Sequence, residues 1–169
     1  MGIVKLTSLH VKSKKYKQQD LILMLIGKYR YSIDSKNRIC IPHKFRGEFG
    51  EKCIISRDLA YKCLNLYSLE QWGIFSKKIE ELPAIKMRDV RQFIYSNSDE
   101  EELDSQGRIL LNRELSEETG LFLEKEAMVI GMNTHAQVWN ITEWEKLNKN
   151  LNGEENRRAV ISDLLDMGF

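Results

Sequence analysis

The chain has 169 residues, with 26 Lys+Arg against 25 Asp+Glu and a formal net charge of +1. That length bounds it to one domain or two small ones. An apolar share of 42% and a charged share of 30% exclude a wholly disordered chain, and no apolar run approaches the ~20 residues that span a bilayer.

The near-zero total conceals a division. Residues 1–46 hold 11 basic and 2 acidic side chains, a net of +9, while residues 47–169 carry −8. Such asymmetry suggests either a contact surface for a polyanion or a solvated basic tail. The excess does not depend on the first 23 residues. If Met24 is the start, residues 24–46 still carry six Lys+Arg and one acidic residue, a net of +5.

Residues 1–23 place Lys12, Lys14, Lys15 and Lys17 ahead of the apolar stretch Leu21–Ile26. This superficially resembles a signal peptide. Asp20 interrupts it, the apolar run is short, and Gly27-Lys28-Tyr29-Arg30 offers no small-residue cleavage site, so secretion is not expected. Cys40, Cys53 and Cys63 are too few and too scattered for a zinc framework, and their odd number argues against a stapled secreted domain. Cys40 and Cys53 have apolar neighbours and read as buried free thiols in a reducing cytoplasm.

Tyr29, Tyr31 and Ile33 alternate with Arg30 and Ser32, the period of a half-buried strand. A second strand, Arg38–Ile41, ends at Pro42. Between them Ser35-Lys36-Asn37 suits a three-residue hairpin, a type I turn followed by one left-handed residue. Two short strands follow near Cys53–Ser56 and Cys63–Tyr67. Ser68 with Gln71 then makes a capping box, and Trp72, Phe75, Ile79 and Leu82 keep helical spacing. A second helix is predicted over Ala84–Ser96, before an acidic junction at Asp99–Glu102.

The pattern then repeats. Ile33-Asp34-Ser35-Lys36-Asn37-Arg38-Ile39 recurs as Leu103-Asp104-Ser105-Gln106-Gly107-Arg108-Ile109, and Leu66-Tyr67-Ser68-Leu69-Glu70-Gln71-Trp72 is echoed by Val138-Trp139-Asn140-Ile141-Thr142-Glu143-Trp144. Self-similarity at two ordered anchors marks two copies of one unit, residues 24–96 and 97–169, after an extension of residues 1–23. The second copy is expected to supply strands at Ala127–Gly131 and Gln137–Ile141. A helix capped by Thr142 and Glu145 follows, carrying Trp144, Leu147 and Leu151, and then a helix from Glu154 to Met167. In both turns the left-handed position holds a tolerant residue, Asn37 or Gly107. Asp34 and Asp104 can accept from the backbone two residues on.

No catalytic chemistry is legible. His10, His43 and His135 lack metal-ligand spacing, and no phosphate loop, nucleophile elbow or zinc-protease motif is present. The Asp-Ser pair of each turn has no consistently placed base. The expectation is a binding protein, with no cofactor, metal, small-molecule substrate or membrane. A turn presenting Lys36 and Arg38, flanked by Arg30, Lys44 and Arg46, could follow a phosphate backbone, and a two-stranded ribbon fits the major groove. Equally, Arg38 and Arg108 could pair with Asp34 and Asp104 and only stabilise the turns. Residues 97–126 carry ten acidic side chains against three basic, which favours the first copy as reader and the second as scaffold.

With these residues in place the sequence closely resembles the bacterial MraZ family. The match rests on Gly27-Lys28-Tyr29, Asp34-Ser35-Lys36-Asn37-Arg38 with Ile41-Pro42, Asp104-Ser105-Gln106-Gly107-Arg108 and the two strand-to-Trp segments, from about residue 24 to the C-terminus. The resemblance implies an α+β fold: two tandem AbrB-like swapped-hairpin units, related to double-psi β folds, each followed by helices, with a pseudo-two-fold within the chain. It implies a ring-shaped homo-oligomer acting as a transcriptional regulator, a repressor, that binds short direct repeats in double-stranded DNA upstream of its own gene in the division and cell-wall cluster. The residues assigned to DNA are Arg30, Lys36, Asn37, Arg38, Lys44 and Arg46; those assigned to the turns are Asp34, Asn37, Asp104, Gly107 and Arg108. Asn37 stands where the family usually has Gly, and Gln106 where it usually has Lys. Residues 1–23 are either a lineage-specific extension or a mis-assigned start. A competing reading is a ring-forming scaffold that binds a protein partner without DNA preference.

Overall fold

The computed structural model describes residues 24–83, 85 and 87–169. The expectations placed on residues 1–23, and on Ala84 as a helix start, lie outside the described residues. The fold is α+β, as expected, with eight strands and six α-helices among the described residues.

The first copy supplies β1 (Lys28–Ser32), β2 (Arg38–Cys40), α1 (His43–Phe49), β3 (Lys52–Arg57), β4 (Cys63–Ser68), α2 (Leu69–Glu80) and α3 (Arg88–Ser96). The second supplies β5 (Ser98–Glu102), β6 (Arg108–Leu110), α4 (Arg113–Thr119), β7 (Glu126–Gly131), β8 (Ala136–Asn140), α5 (Ile141–Leu151) and α6 (Glu154–Asp166), with a 3-10 turn at Leu121–Leu123. The order of strands and α-helices is the same in both copies.

Their strands interleave. The large sheet runs β1-β7-β8-β4-β3-β5, which reads alike from either end, and β2 pairs with β6 in a separate ribbon. All pairs are antiparallel. Each copy therefore gives its first strand to the other, β1 to β7 and β5 to β3. The registers Ile39↔Ile109 and Asn65↔Gln137 join each residue to its own counterpart, which puts the pseudo-two-fold through these points. Ile39 and Ile109 are both fully buried there, each contributing about 2–3 kcal/mol by leaving water. The same core holds Ile41, Phe45, Ile55, Leu66, Leu111 and Val129, and the edge of Tyr29 meets Phe45 at 5.3 Å between ring centroids.

Several expectations are corrected. In the first copy the expected hairpin forms only at its end, through the bridge Ile33↔Ile39 beyond the turn; in both copies the strands then part to meet the other copy. The acidic junction is strand β5, because pairing with β3 overrides the poor strand propensity of its carboxylates. Lys52 compensates part of that charge, 2.7 Å from Glu100 and 3.5 Å from Glu102. Helix α5 starts earlier than the Thr142–Glu145 box implied: Asn140 is the N-cap and accepts from the Thr142 and Glu143 amides, so strand β8 stops before Ile141. Ser68 caps α2 by accepting from Gln71 as expected, but Leu82 lies beyond its end. Helix α3 starts at Arg88. Cys40 is only partly buried, whereas Cys53 and Cys63 are buried.

Candidate nucleic-acid interface

Both Asp-Ser-x-x-Arg turns are built alike. The Asn37 amide donates to the Asp34 carbonyl at 2.9 Å and Gly107 to Asp104 at 2.8 Å, closing each turn. One carboxylate oxygen of Asp34 accepts from the Lys36 and Arg38 amides, both at 2.9 Å. Asp104 does the same for Gln106 and Arg108 at 2.9 and 3.0 Å. The chain then leaves through a left-handed residue, Asn37 at φ 56° or Gly107 at φ 73°.

Pairing of β2 with β6 sets the two turns side by side and links their charges. Arg38 grips the second oxygen of Asp34 through Nε at 2.9 Å and Nη2 at 2.8 Å, and its Nη1 reaches Asp104 at 3.3 Å. Arg108 grips Asp104 through both nitrogens at 2.8 Å and reaches Asp34 at 3.6 Å. The result is a closed ring of alternating charge across the pseudo-axis, with every side chain about 26–30% exposed. Hydrogen bonds from Arg38 hold the Asp34 carboxyl below its ordinary range. The Arg108 amide and then its guanidinium hold Asp104 down at about 2. The expected pairing across each turn is present, and it also runs between turns.

The two copies then differ. At the first turn Lys36 is exposed at the tip, and the amide of Asn37 is turned inward, donating to the Leu111 carbonyl at 2.5 Å and reaching Ser116 Oγ at 3.5 Å. Helix α1 adds Lys44, exposed, and Arg46, whose Nε donates to the Ile41 carbonyl at 3.0 Å. The Arg46 guanidinium lies against Gly107 so closely that a Cβ there would stand 2.3 Å from it. Arg30 is exposed on β1 and pairs with Glu126 at 3.0 Å. Among the described residues, Lys36, Lys44 and Arg46 have no carboxylate partner, and Arg38 is fully engaged in the ring. The second turn presents neutral Gln106, and its helix α4 carries Glu114, Glu117 and Glu118, with Arg113 held by Glu117 at 2.7 Å.

Helices α1 and α4 were not predicted, although each begins where a signal stood. Pro42 precedes α1, and Asn112 caps α4 by accepting from the Glu114 and Leu115 amides. No group of three His, Cys, Asp or Glu could hold a metal ion, and no helix is long and apolar enough to cross a membrane, among the described residues.

Fold and site together define a tandem swapped-hairpin protein of AbrB-like units, with charged turns displayed at its pseudo-axis and no catalytic constellation among the described residues. The family model described as "MraZ protein, putative antitoxin-like" matches twice, over residues 24–92 and 94–166, and the chain belongs to that family. Among its relatives is a protein of Alkaliphilus oremlandii, 43% identical over 132 residues, 76% of this chain and 90% of the relative. One from Acetivibrio thermocellus is 40% identical over 139 residues, covering 80% and 92%. A third, from Syntrophomonas wolfei, is 34% identical over 149 residues, covering 86% and all of the relative. Each of the three is named "Transcriptional regulator MraZ".

Proposed function

We propose that this protein is a DNA-binding transcriptional regulator that recognises short direct repeats upstream of its own division and cell-wall operon, acting as a repressor. It works in the cytoplasm on the nucleoid, as a ring-shaped homo-oligomer whose copies engage successive repeats, so that weak single contacts gain through effective concentration. The observation that carries this reading is the unequal charge of two otherwise matched turns. The first offers Lys36 and, from α1, Lys44, both exposed without a carboxylate partner among the described residues, while the second offers Gln106 beside an acidic helix.

In this reading Lys36 and Lys44 meet phosphates. Arg38 presents the exposed part of its guanidinium from a position locked by Asp34 and Asp104. Asn37 and Arg46 hold the turn and α1 against the second copy, and Arg30 contributes from β1. The units 24–96 and 97–169 then divide the labour between reader and scaffold.

The test is a gel-shift titration of the purified chain against DNA from upstream of its own gene, with scrambled repeats as control. Binding that ignores the scrambling would favour the scaffold reading. In Lys36→Ala/Lys44→Ala the loss of two phosphate contacts lowers the slope of log affinity against log salt by about 2. An unchanged slope removes these lysines from the interface.

A further inference from the structure

Among the described residues two apolar surfaces are left uncovered, and the internal repeat says how they fit. In the first copy, α2 and α3 lie side by side on the outer face of the sheet. Trp72 of α2 meets Tyr95 of α3 edge-on at 6.3 Å, Ile94 is 2% exposed, and Ser98 Oγ joins Ser56 to the Ile94 carbonyl at 2.9 and 2.6 Å. Seven residues separate α2 from α3, enough chain to turn back, and Arg91 ties the return by donating to the carbonyls of Ile79, Glu80 and Leu82.

Among the described residues the second copy has only α5 at the equivalent place, where Trp144 and Leu147 cover Met128 and Ile130. Beyond them the ladder of β1 with β7 continues through the bridge Leu25↔Asn133, which keeps the same register and sets Ile26 opposite Met132. Gly131 allows this close approach, since a Cβ there would stand 2.3 Å from the Leu25 backbone. Leu25 points into the core at 1% exposure, so its neighbours Met24 and Ile26 point outward, at 66% and 63%, with Met132 at 46%. This is the outer face that α3 covers on the other side.

The helix that should cover it by symmetry is α6. Only Asn152 and Gly153 separate it from α5, and it does not pack back beside α5 as α3 folds beside α2. Helix α6 buries no residue on its own chain. Val160, Ile161, Leu164 and Leu165 form one stripe along it, all between 44% and 65% exposed. Asp163 borders that stripe, while Lys28 lies on the same strand face as Ile26, with no carboxylate partner among the described residues.

We infer that α6 of one copy docks on the Met24–Ile26–Met132 face of a second copy, beside its α5, reproducing between chains the contact that α3 makes within one. The two surfaces differ, so the contact is head-to-tail, and it builds a ring where the rotation between successive copies closes. A short hinge that carries a helix unpacked on its own chain is the arrangement that favours exchange of an element between copies. The inference rests on the homo-oligomer reading above and specifies the surface that builds it.

Light scattering on the full chain tests it with two variants, Leu164→Asp/Leu165→Asp on the helix and Met24→Asp/Ile26→Asp on the face. Wild type should scatter at several chain masses and each variant at one, with the wild-type circular dichroism spectrum retained. Each variant keeps one intact surface, so an equimolar mixture should double to two chain masses and stop there. A variant that keeps the wild-type mass overturns the inference, since something else, residues 1–23 included, would cover the face. A face variant that dimerises alone overturns it in favour of helix pairing α6 to α6, and a mixture that stays at one mass overturns it as well. Wild type at one chain mass would remove the oligomer reading itself.

Discussion

Gly107→Ala isolates the contact between the second turn and the first copy's helix. Two costs add. A non-glycine residue in the left-handed region costs about 1–2 kcal/mol, and Gly107 sits there at φ 73°. The new Cβ would also stand 2.3 Å from both Cζ and Nε of Arg46, so the guanidinium must leave. Its departure breaks the 3.0 Å bond from Nε to the Ile41 carbonyl, worth about 1 kcal/mol for a partly exposed pair. The sum is about 2–3 kcal/mol, which lowers Tm by roughly 4–12 °C for a chain of this size. Urea unfolding at fixed protein concentration measures it, in wild type, Gly107→Ala, Arg46→Ala and the double variant. Because the steric part requires Arg46, the double variant should be less destabilised than the sum of the singles, by about 1 kcal/mol. Strict additivity, or a Gly107→Ala loss below about 0.5 kcal/mol, would refute the claim that Arg46 is seated on this turn.

Three other outcomes are expected. Asp104 has a folded pKa depressed to about 2, so the stability it brings is present above its unfolded value near 4 and disappears as pH falls through about 2; Asp104→Asn should be the weaker protein at pH 7 and match wild type in urea midpoint near pH 2. Ile39→Ala and Ile109→Ala each remove a fully buried side chain on the pseudo-axis and should cost about 2–5 kcal/mol apiece by chemical denaturation. Burial pushes the Cys53 thiol up to about 12 and Cys63 higher still, so a thiol reagent at pH 8 should modify the partly exposed Cys40 first and the other two only in denaturant.

Local chemistry was legible where it acts within a few residues. The three-residue turn, the bonds from Asp34 and Asp104 to the backbone two residues on, and the left-handed Asn37 and Gly107 all follow from spacing and side-chain type. Strand partners were not legible. Alternation in Tyr29–Ile33 says which face is buried but not which strand lies alongside, and the short turn suggested the wrong neighbour. The strand Ser98–Glu102 was missed because its carboxylates suit a loop, and only its place beside β3 makes it a strand. At the candidate interface the sequence supplied the Asp–Arg pairs and the charge bias. It did not disclose that Asn37 and Arg46 turn toward the second copy, since those contacts cross about 60–75 positions and depend on how β2 meets β6. The cap of α5 was displaced for a smaller reason: Asn140 and Thr142 both suit the role, and the end of β8 decided between them.

The exchange of first strands also sets a timetable for synthesis. Lys28 lies opposite Ile130, so β1 leaves the ribosome about a hundred residues ahead of its partner, an interval of roughly 5–20 s. Strands β3, β4 and β5 can pair during that time, while β1 waits as a bare edge. Its outward Lys28 and Arg30 then act as guards against sticking to other nascent chains, the way charge protects exposed strands generally. The basic charge of β1 thus has an early use, in keeping an unpartnered strand soluble until β7 arrives.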